Sequence, residues 1–143
     1  MDHVVYTDFK AKELDDLISG KKTAVLRGAA GRKLPHGRVN AGDILYFIQN
    51  NGEGLIQAKA EVKEVFNSDK MTKEESEDLI QKNMDILQLK NTQLKRWSGK
   101  RYLVIIKIKN VVKIPSFSID KSDFSNMDDW LIVEDIKKVK ISS

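Results

Sequence analysis

Apolar and polar positions alternate most regularly between Leu55 and Phe66. Ile56, Ala58, Ala60 and Val62 fall on one side there, and Gln57, Lys59, Glu61 and Lys63 on the other. A period of two is that of a strand with one buried face. The preceding run, Ile44-Leu45-Tyr46-Phe47-Ile48, is short and wholly apolar, which suits a buried strand. Asn50-Asn51-Gly52 lies between the two as a turn, so the pair is expected to be antiparallel. A third strand is predicted over Thr23–Arg27. A long one is predicted over Lys100–Ile114, where Tyr102, Val104, Ile106 and Ile108 alternate with Leu103, Ile105, Lys107 and Lys109.

Two stretches have helical spacing. Lys10–Ser19 carries Leu14, Leu17 and Ile18 on one face and meets a glycine stop at Gly20. Thr72-Lys73-Glu74-Glu75 is a capping box, and the helix it opens places Leu79, Ile80, Met84 and Leu87 at core spacing. Past an interruption at Asn91, Leu94 and Trp97 continue the stripe to Gly99. Gly28–Asn40 has no apolar period and reads as an exposed loop, and Trp130–Val133 as a last short apolar segment. The order predicts an α+β fold, a small and mostly antiparallel β-barrel flanked by helices. With no repeat, linker or low-complexity tract, residues 1–143 are read as one domain.

Charge changes this picture. Net charge is only +4, but fourteen of the 25 basic residues sit in two windows without acids, Leu17–Gly42 and Ile86–Ile119. Glu61–Asp85 between them holds eight acids and four lysines. If the two windows fold to one side, the surface attracts phosphate; each window alone is equally well a solvated face. The chain has no cysteine, which excludes disulfides, zinc–thiolate sites and thiol catalysis. With only His3 and His36, a histidine-rich metal centre is not expected, nor is any cofactor. No apolar run reaches the roughly 20 residues of a membrane span, and Met1-Asp2-His3 does not open a signal peptide. The expectation is a cytoplasmic protein with no membrane partner, treated as a monomer.

Gly20-Lys21-Lys22-Thr23-Ala24-Val25-Leu26-Arg27, followed by Gly42-Asp43 before a strand, resembles the ASCH family of the PUA-like superfold. That family's signature is G-x-K-x-x-E-x-R between the first helix and a strand. Gly20, Lys22 and Arg27 match it, and Val25 stands at the acidic position. The order of elements agrees over Phe9–Pro115. Trp97–Tyr102 and Asn126–Trp130 look like a longer bacterial and archaeal subgroup. The resemblance implies a barrel with a cleft beside the first helix that takes RNA or a nucleotide-like ligand. It also implies, as an alternative, an amidohydrolase that deacetylates acetylcytidine with a Lys, a Thr and a Glu. Lys22 occupies the Lys position, but the Thr position is Val25, which has no hydroxyl to act as a nucleophile. Thr23 is two residues away, and the second helix offers Lys82 near the Glu position, with Asp78 and Asp85 the nearest acids. For the ribonuclease activity of such domains, no histidine pair supplies a general acid and base.

The leading expectation is therefore a non-catalytic module that binds RNA or a nucleotide. Its candidate ligand-binding residues are Lys21, Lys22, Thr23, Arg27, Arg32, Lys33, Arg38, Trp97, Lys100 and Arg101, with Lys22 catalytic only in the hydrolase alternative. A protein-interaction domain with an incidental basic face is a third reading. Lys22 and Arg27 are expected to converge in one concave site at the end of the first helix, as a point charge and a bidentate fork for phosphate. Equally, Lys22 pairs with the helix dipole, and Arg27 with a carboxylate such as Asp43. Trp97 either stacks on a base or packs on the Leu87–Leu94 stripe. Trp130 anchors the core, His36 either touches a phosphate or base or is an idle loop residue, and Asp128 and Asp129 form a turn or cap rather than a metal site.

Overall fold

The computed structural model describes residues 1–124 and 128–141, so Asn126 and Met127 of the subgroup resemblance lie outside the described residues. Among the described residues seven strands form one sheet: β1 (Asp2–Thr7), β2 (Ala24–Ala29), β3 (Ile44–Gln49), β4 (Leu55–Asn67), β5 (Tyr102–Ile119), β6 (Trp130–Glu134) and β7 (Lys140–Ile141). The spatial order is β2-β5-β4-β3-β1-β6, with β7 paired to β5. The sheet curls into a half-barrel with helices α1 (Glu13–Ser19), α2 (Lys73–Lys82), α3 (Met84–Leu87) and α4 (Asn91–Trp97). The predicted β3–β4 hairpin is present and antiparallel. All other pairings are antiparallel too, except β1 with β3.

Strand β1 and the two-residue β7 are the strands the apolar pattern did not predict. The β1 run Val4-Val5-Tyr6 is too short to show a period, and a parallel neighbour has no turn to announce it. Three register shifts in the β4–β5 pairing mark bulges that bend these long strands and curl the sheet. Inside the curl, Val25, Phe47, Ala58, Ala60, Val62, Val104, Ile106 and Trp130 pack with Leu14 and Leu17 of α1. On the opposite face of β2 and β5, Ala24, Leu26, Leu103 and Ile105 pack against Ile80, Leu87 and Trp97. That second layer is why β5 buries Leu103 through Ile106 without a break. A third cluster, with Val4, Ile48, Ile56, Phe117 and Leu131, closes the other end.

The helices are shorter than the periodicity predicts. Lys12 is left-handed (φ 57°), so α1 begins at Glu13 rather than Lys10; its C-cap is Gly20 (φ 82°), as expected. The Thr72 box is formed: the Glu75 amide donates to Thr72 Oγ1 (3.1 Å), and the Thr72 amide to Glu75 Oε1 (2.9 Å). The break falls at Gln88 (φ 46°), which ends α3, and Asn91 starts α4 instead of interrupting a helix. His36 is not idle: its Nε2 bonds the Ser68 carbonyl (2.8 Å) and its ring meets Tyr102 edge-on, pinning the basic loop to the sheet. Among the described residues no helix is long and apolar enough to cross a membrane.

Candidate functional site

Alternation along the chain turns Lys22 inward just before β2, where an ammonium group needs a partner. Glu13 supplies it from the first turn of α1: Lys22 Nζ lies 3.1 Å from Glu13 Oε2 and donates to the Leu87 carbonyl (2.7 Å). Lys22 is 1% exposed and Glu13 4%. The Asp8 amide (3.1 Å) and the Gln93 side-chain amide (3.3 Å) also donate to Glu13. Burial pushes the Glu13 carboxyl up, but the charges of Lys22 and Arg27 and the hydrogen bonds from the Asp8 amide and Lys22 outweigh it, holding the group below its ordinary value. For Lys22 burial wins, and the ammonium is held below its ordinary value against the pull of Glu13.

Arg27, on β2, is the neighbouring cation and is 6% exposed. Its Nη1 donates to the Leu26 carbonyl (2.8 Å) and its Nη2 to the Tyr6 carbonyl (2.6 Å). The guanidinium carbon stands 5.9 Å from the Trp97 ring centre and 5.8 Å from that of Trp130. Nε is buried and has no hydrogen-bond partner; Asp129 Oδ2, at 3.3 Å, is in ion-pair contact but not aligned to accept. Arg96 Nη2 reaches the same Oδ2 at 3.2 Å, and its guanidinium carbon sits 4.3 Å from the Trp97 ring centre.

These groups face a cleft of about 290 Å³ between the end of β2, the basic loop and α4. Arg27, Lys33, Arg96 and Lys100 line it, with Trp97 as a wall and Asp129 as its one acid. Arg27 and Lys33 come from the first acid-free window, Arg96 and Lys100 from the second. Among the described residues, no carboxylate lies within ion-pair distance of Lys33 or Lys100. The cleft holds a surplus of positive charge beside an aromatic edge, in an open and solvated groove.

Four of the predicted ligand-binding residues, Arg27, Lys33, Trp97 and Lys100, thus share one cleft. Lys21, Thr23, Arg32, Arg38 and Arg101 lie outside its lining, Arg32 resting 5.7 Å from the Tyr102 ring centre. Lys22 is held by Glu13 and the Leu87 carbonyl and Arg27 by the Leu26 and Tyr6 carbonyls beside Asp129, and only Arg27 lines the cleft. Nor does Lys22 Nζ pair with the end of α1, since Leu87 and Glu13 hold it. Asp43 is not the partner of Arg27; it pairs with His3 (2.8 Å), and Asp129 takes that place. Asp129 is accordingly an arginine partner rather than a turn or cap. Trp97 packs in the core layer beneath α4 and also shows the cleft its edge. Among the described residues no three metal-ligating side chains assemble.

Sequence reasoning missed Glu13, Arg96 and Asp129. Glu13 carried a signal, because it lies four residues before Leu17 on the apolar face of α1, where an unpaired acid is costly.

No protein-family profile matches the sequence, and neither does any curated protein sequence. Solved structures do match. The ASCH protein of Zymomonas mobilis superposes with a TM-score of 0.64 at 16% identity, covering 93% of this chain and 89% of that one. One single-substitution variant of that protein gives 0.69 at 14% identity, covering 96% and 94%. A second gives 0.66 at 14% identity, covering 96% and 92%. The fold is ASCH-like. On this ASCH-like frame the quoted signature has a local physical basis: Gly20 ends α1 in the left-handed region, Lys22 is the buried partner of Glu13, and Arg27 turns into the cleft. Val25, at the signature's acidic position, is fully buried in the barrel core, while Glu13 supplies the acid from α1.

Proposed function

We propose that the chain is a non-catalytic module that binds RNA or a nucleotide by its phosphates, in the cleft of Arg27, Lys33, Arg96, Trp97 and Lys100. The observation that carries this is the meeting of both acid-free windows in one open groove with two unpaired lysines. Lysines free of carboxylates exchange small counterions for phosphate at little cost, and the entropy of the released ions drives binding. The guanidinium of Arg96, resting over the Trp97 ring and more than half exposed, offers a surface on which a base can stack.

The test is a fluorescence titration of labelled single-stranded RNA at several salt concentrations, with Lys33→Ala/Lys100→Ala beside the parent. Both lysines are exposed, so the double variant keeps its fold. Each phosphate contact on a single strand adds a slope of about −0.7 to log K against log salt. Losing two contacts flattens the slope by about 1.4 and weakens binding for all sequences alike. A double variant with the parent's affinity and slope overturns the reading.

One observation favours the hydrolase alternative, namely a buried lysine of lowered pKa beside a glutamate. Geometry weighs against it. Lys22 is sealed by Glu13 and Leu87, Val25 is buried without a hydroxyl, and Thr23 is exposed while Lys22 faces inward. Chromatography of acetylcytidine incubated with the protein separates the two: turnover lost in Lys22→Ala supports the hydrolase.

A further inference from the structure

Asp129 is the one acid in a cleft otherwise lined by bases, and its placement is specific. A single carboxylate oxygen, Oδ2, lies 3.3 Å from Arg27 Nε and 3.2 Å from Arg96 Nη2. That is where an oxyanion would sit to bridge two guanidinium groups. We infer that the Asp129 carboxylate is an internal competitor, occupying the arginine pair until a ligand phosphate displaces it. The inference rests on reading the cleft as a phosphate-binding site.

The two sides of the contact differ in freedom. Arg27 is fixed: Nη1 and Nη2 hold the Leu26 and Tyr6 carbonyls, and the group lies between two indoles. Its Nε is the donor left over, buried and without an aligned acceptor. An arriving phosphate oxygen can align with it as the carboxylate does not. The Asp129 backbone is fixed as well, since the Tyr6 amide donates to its carbonyl (3.0 Å) and the next residue, Trp130, is buried and bonded to His3. The Asp129 side chain is not: it is 37% exposed and turns into solvent by rotation about its own bonds. Exchange at this site therefore needs a side-chain swing and no movement of the sheet.

The carboxylate charge thus screens two neighbouring guanidinium groups from each other, while leaving the Arg27 Nε–H without an aligned acceptor. It also sets the affinity. A ligand phosphate pays for displacing Asp129, then sits near its like charge.

The experiment measures the affinity of unlabelled oligouridine RNA, and of inorganic phosphate, for the parent, Asp129→Asn and Asp15→Asn at 100 mM salt, where the Debye length is about 10 Å. Asp15 lines a different groove and controls for the change in net charge. Like charges about 6 Å apart at a half-exposed site predict that Asp129→Asn binds about threefold to tenfold tighter, with Asp15→Asn close to the parent. In the parent, the Arg27 Nε–H resonance shifts on titration as it changes partner, a readout that needs no variant. The inference alone is overturned if the parent binds but Asp129→Asn binds no tighter than Asp15→Asn, or if that resonance stays put while RNA binds. If neither parent nor variant binds either probe, the inference falls together with the phosphate-site reading.

Discussion

Replacing Lys22 by Met removes the cation of a fully buried pair while keeping most of the side-chain volume. Glu13 then remains 4% exposed with no lysine beside it. Breaking a buried ion pair from one side costs about 3–5 kcal/mol. Glu13 keeps the Asp8 amide, the Gln93 amide and the field of Arg27, which places its share at the low end. The Leu87 carbonyl also loses its donor, adding about 1 kcal/mol. The sum is roughly 3–4 kcal/mol out of a typical 5–15, or a melting temperature lower by about 10 °C for a chain of this size. The double variant Glu13→Gln/Lys22→Met removes the orphaned charge and recovers at least half the loss.

Acid distinguishes this cause from lost packing. In the parent, the folded-state pKa of Glu13 lies below its unfolded value, so its contribution is full at neutral pH and fades as pH falls through the folded value. In Lys22→Met, burial is no longer outweighed by the lysine and the carboxyl is pushed up, so that variant gains relative stability as pH falls. Urea denaturation at pH 7 and at pH 4.5 is therefore expected to show the gap between parent and variant closing. A gap under 1 kcal/mol at pH 7, or one that does not change with pH, refutes the reasoning.

His3 is buried between Trp130, whose indole N–H donates to Nδ1 (3.0 Å), and Asp43, 2.8 Å from Nε2. An indole only donates, so the neutral imidazole carries its proton on Nε2. Burial, opposed by Asp43, holds its pKa below 6.5, so the folded state is favoured above that pH and loses ground below it. The stability difference between the parent and His3→Gln should accordingly narrow from pH 7.5 to pH 5 in denaturant titrations; a constant difference contradicts it. At Gly28 an added Cβ would lie 2.7 Å from Leu103 Cδ2 and 3.2 Å from the Tyr102 carbonyl. Gly28→Ala is expected to cost about 1–3 kcal/mol by overpacking, read as a lower denaturation midpoint at unchanged slope.

Local features were legible in the sequence and long-range ones were not. The alternation of β4, the β3–β4 turn, the Thr72 box and the Gly20 stop each involve residues within a few positions, and all are present. Strand β1 was hidden because its partners, β3 and β6, are about 40 and 130 residues away and its own run is too brief for a period. The cleft was half legible: charge windows named Arg27, Lys33 and Lys100, while depth along the sheet decided that Lys22 is sealed beside Glu13 and that Arg27, also buried, lines the cleft. Asp129 read as a turn residue because nothing near it in sequence announces two arginines from elements far apart in the chain.

The central claim is that phosphate-bearing ligands enter the cleft between β2, the basic loop and α4. An amide-resolved NMR titration of the full chain with oligouridine RNA at low salt tests it most directly. The largest shifts are predicted at Gly28–Ala30, at Lys33 and Leu34, and from Arg96 to Lys100, all fading as salt is raised. Shifts centred instead on the groove of Leu14, Ile18, Gln57 and Ile114, with the cleft unmoved, would contradict the account.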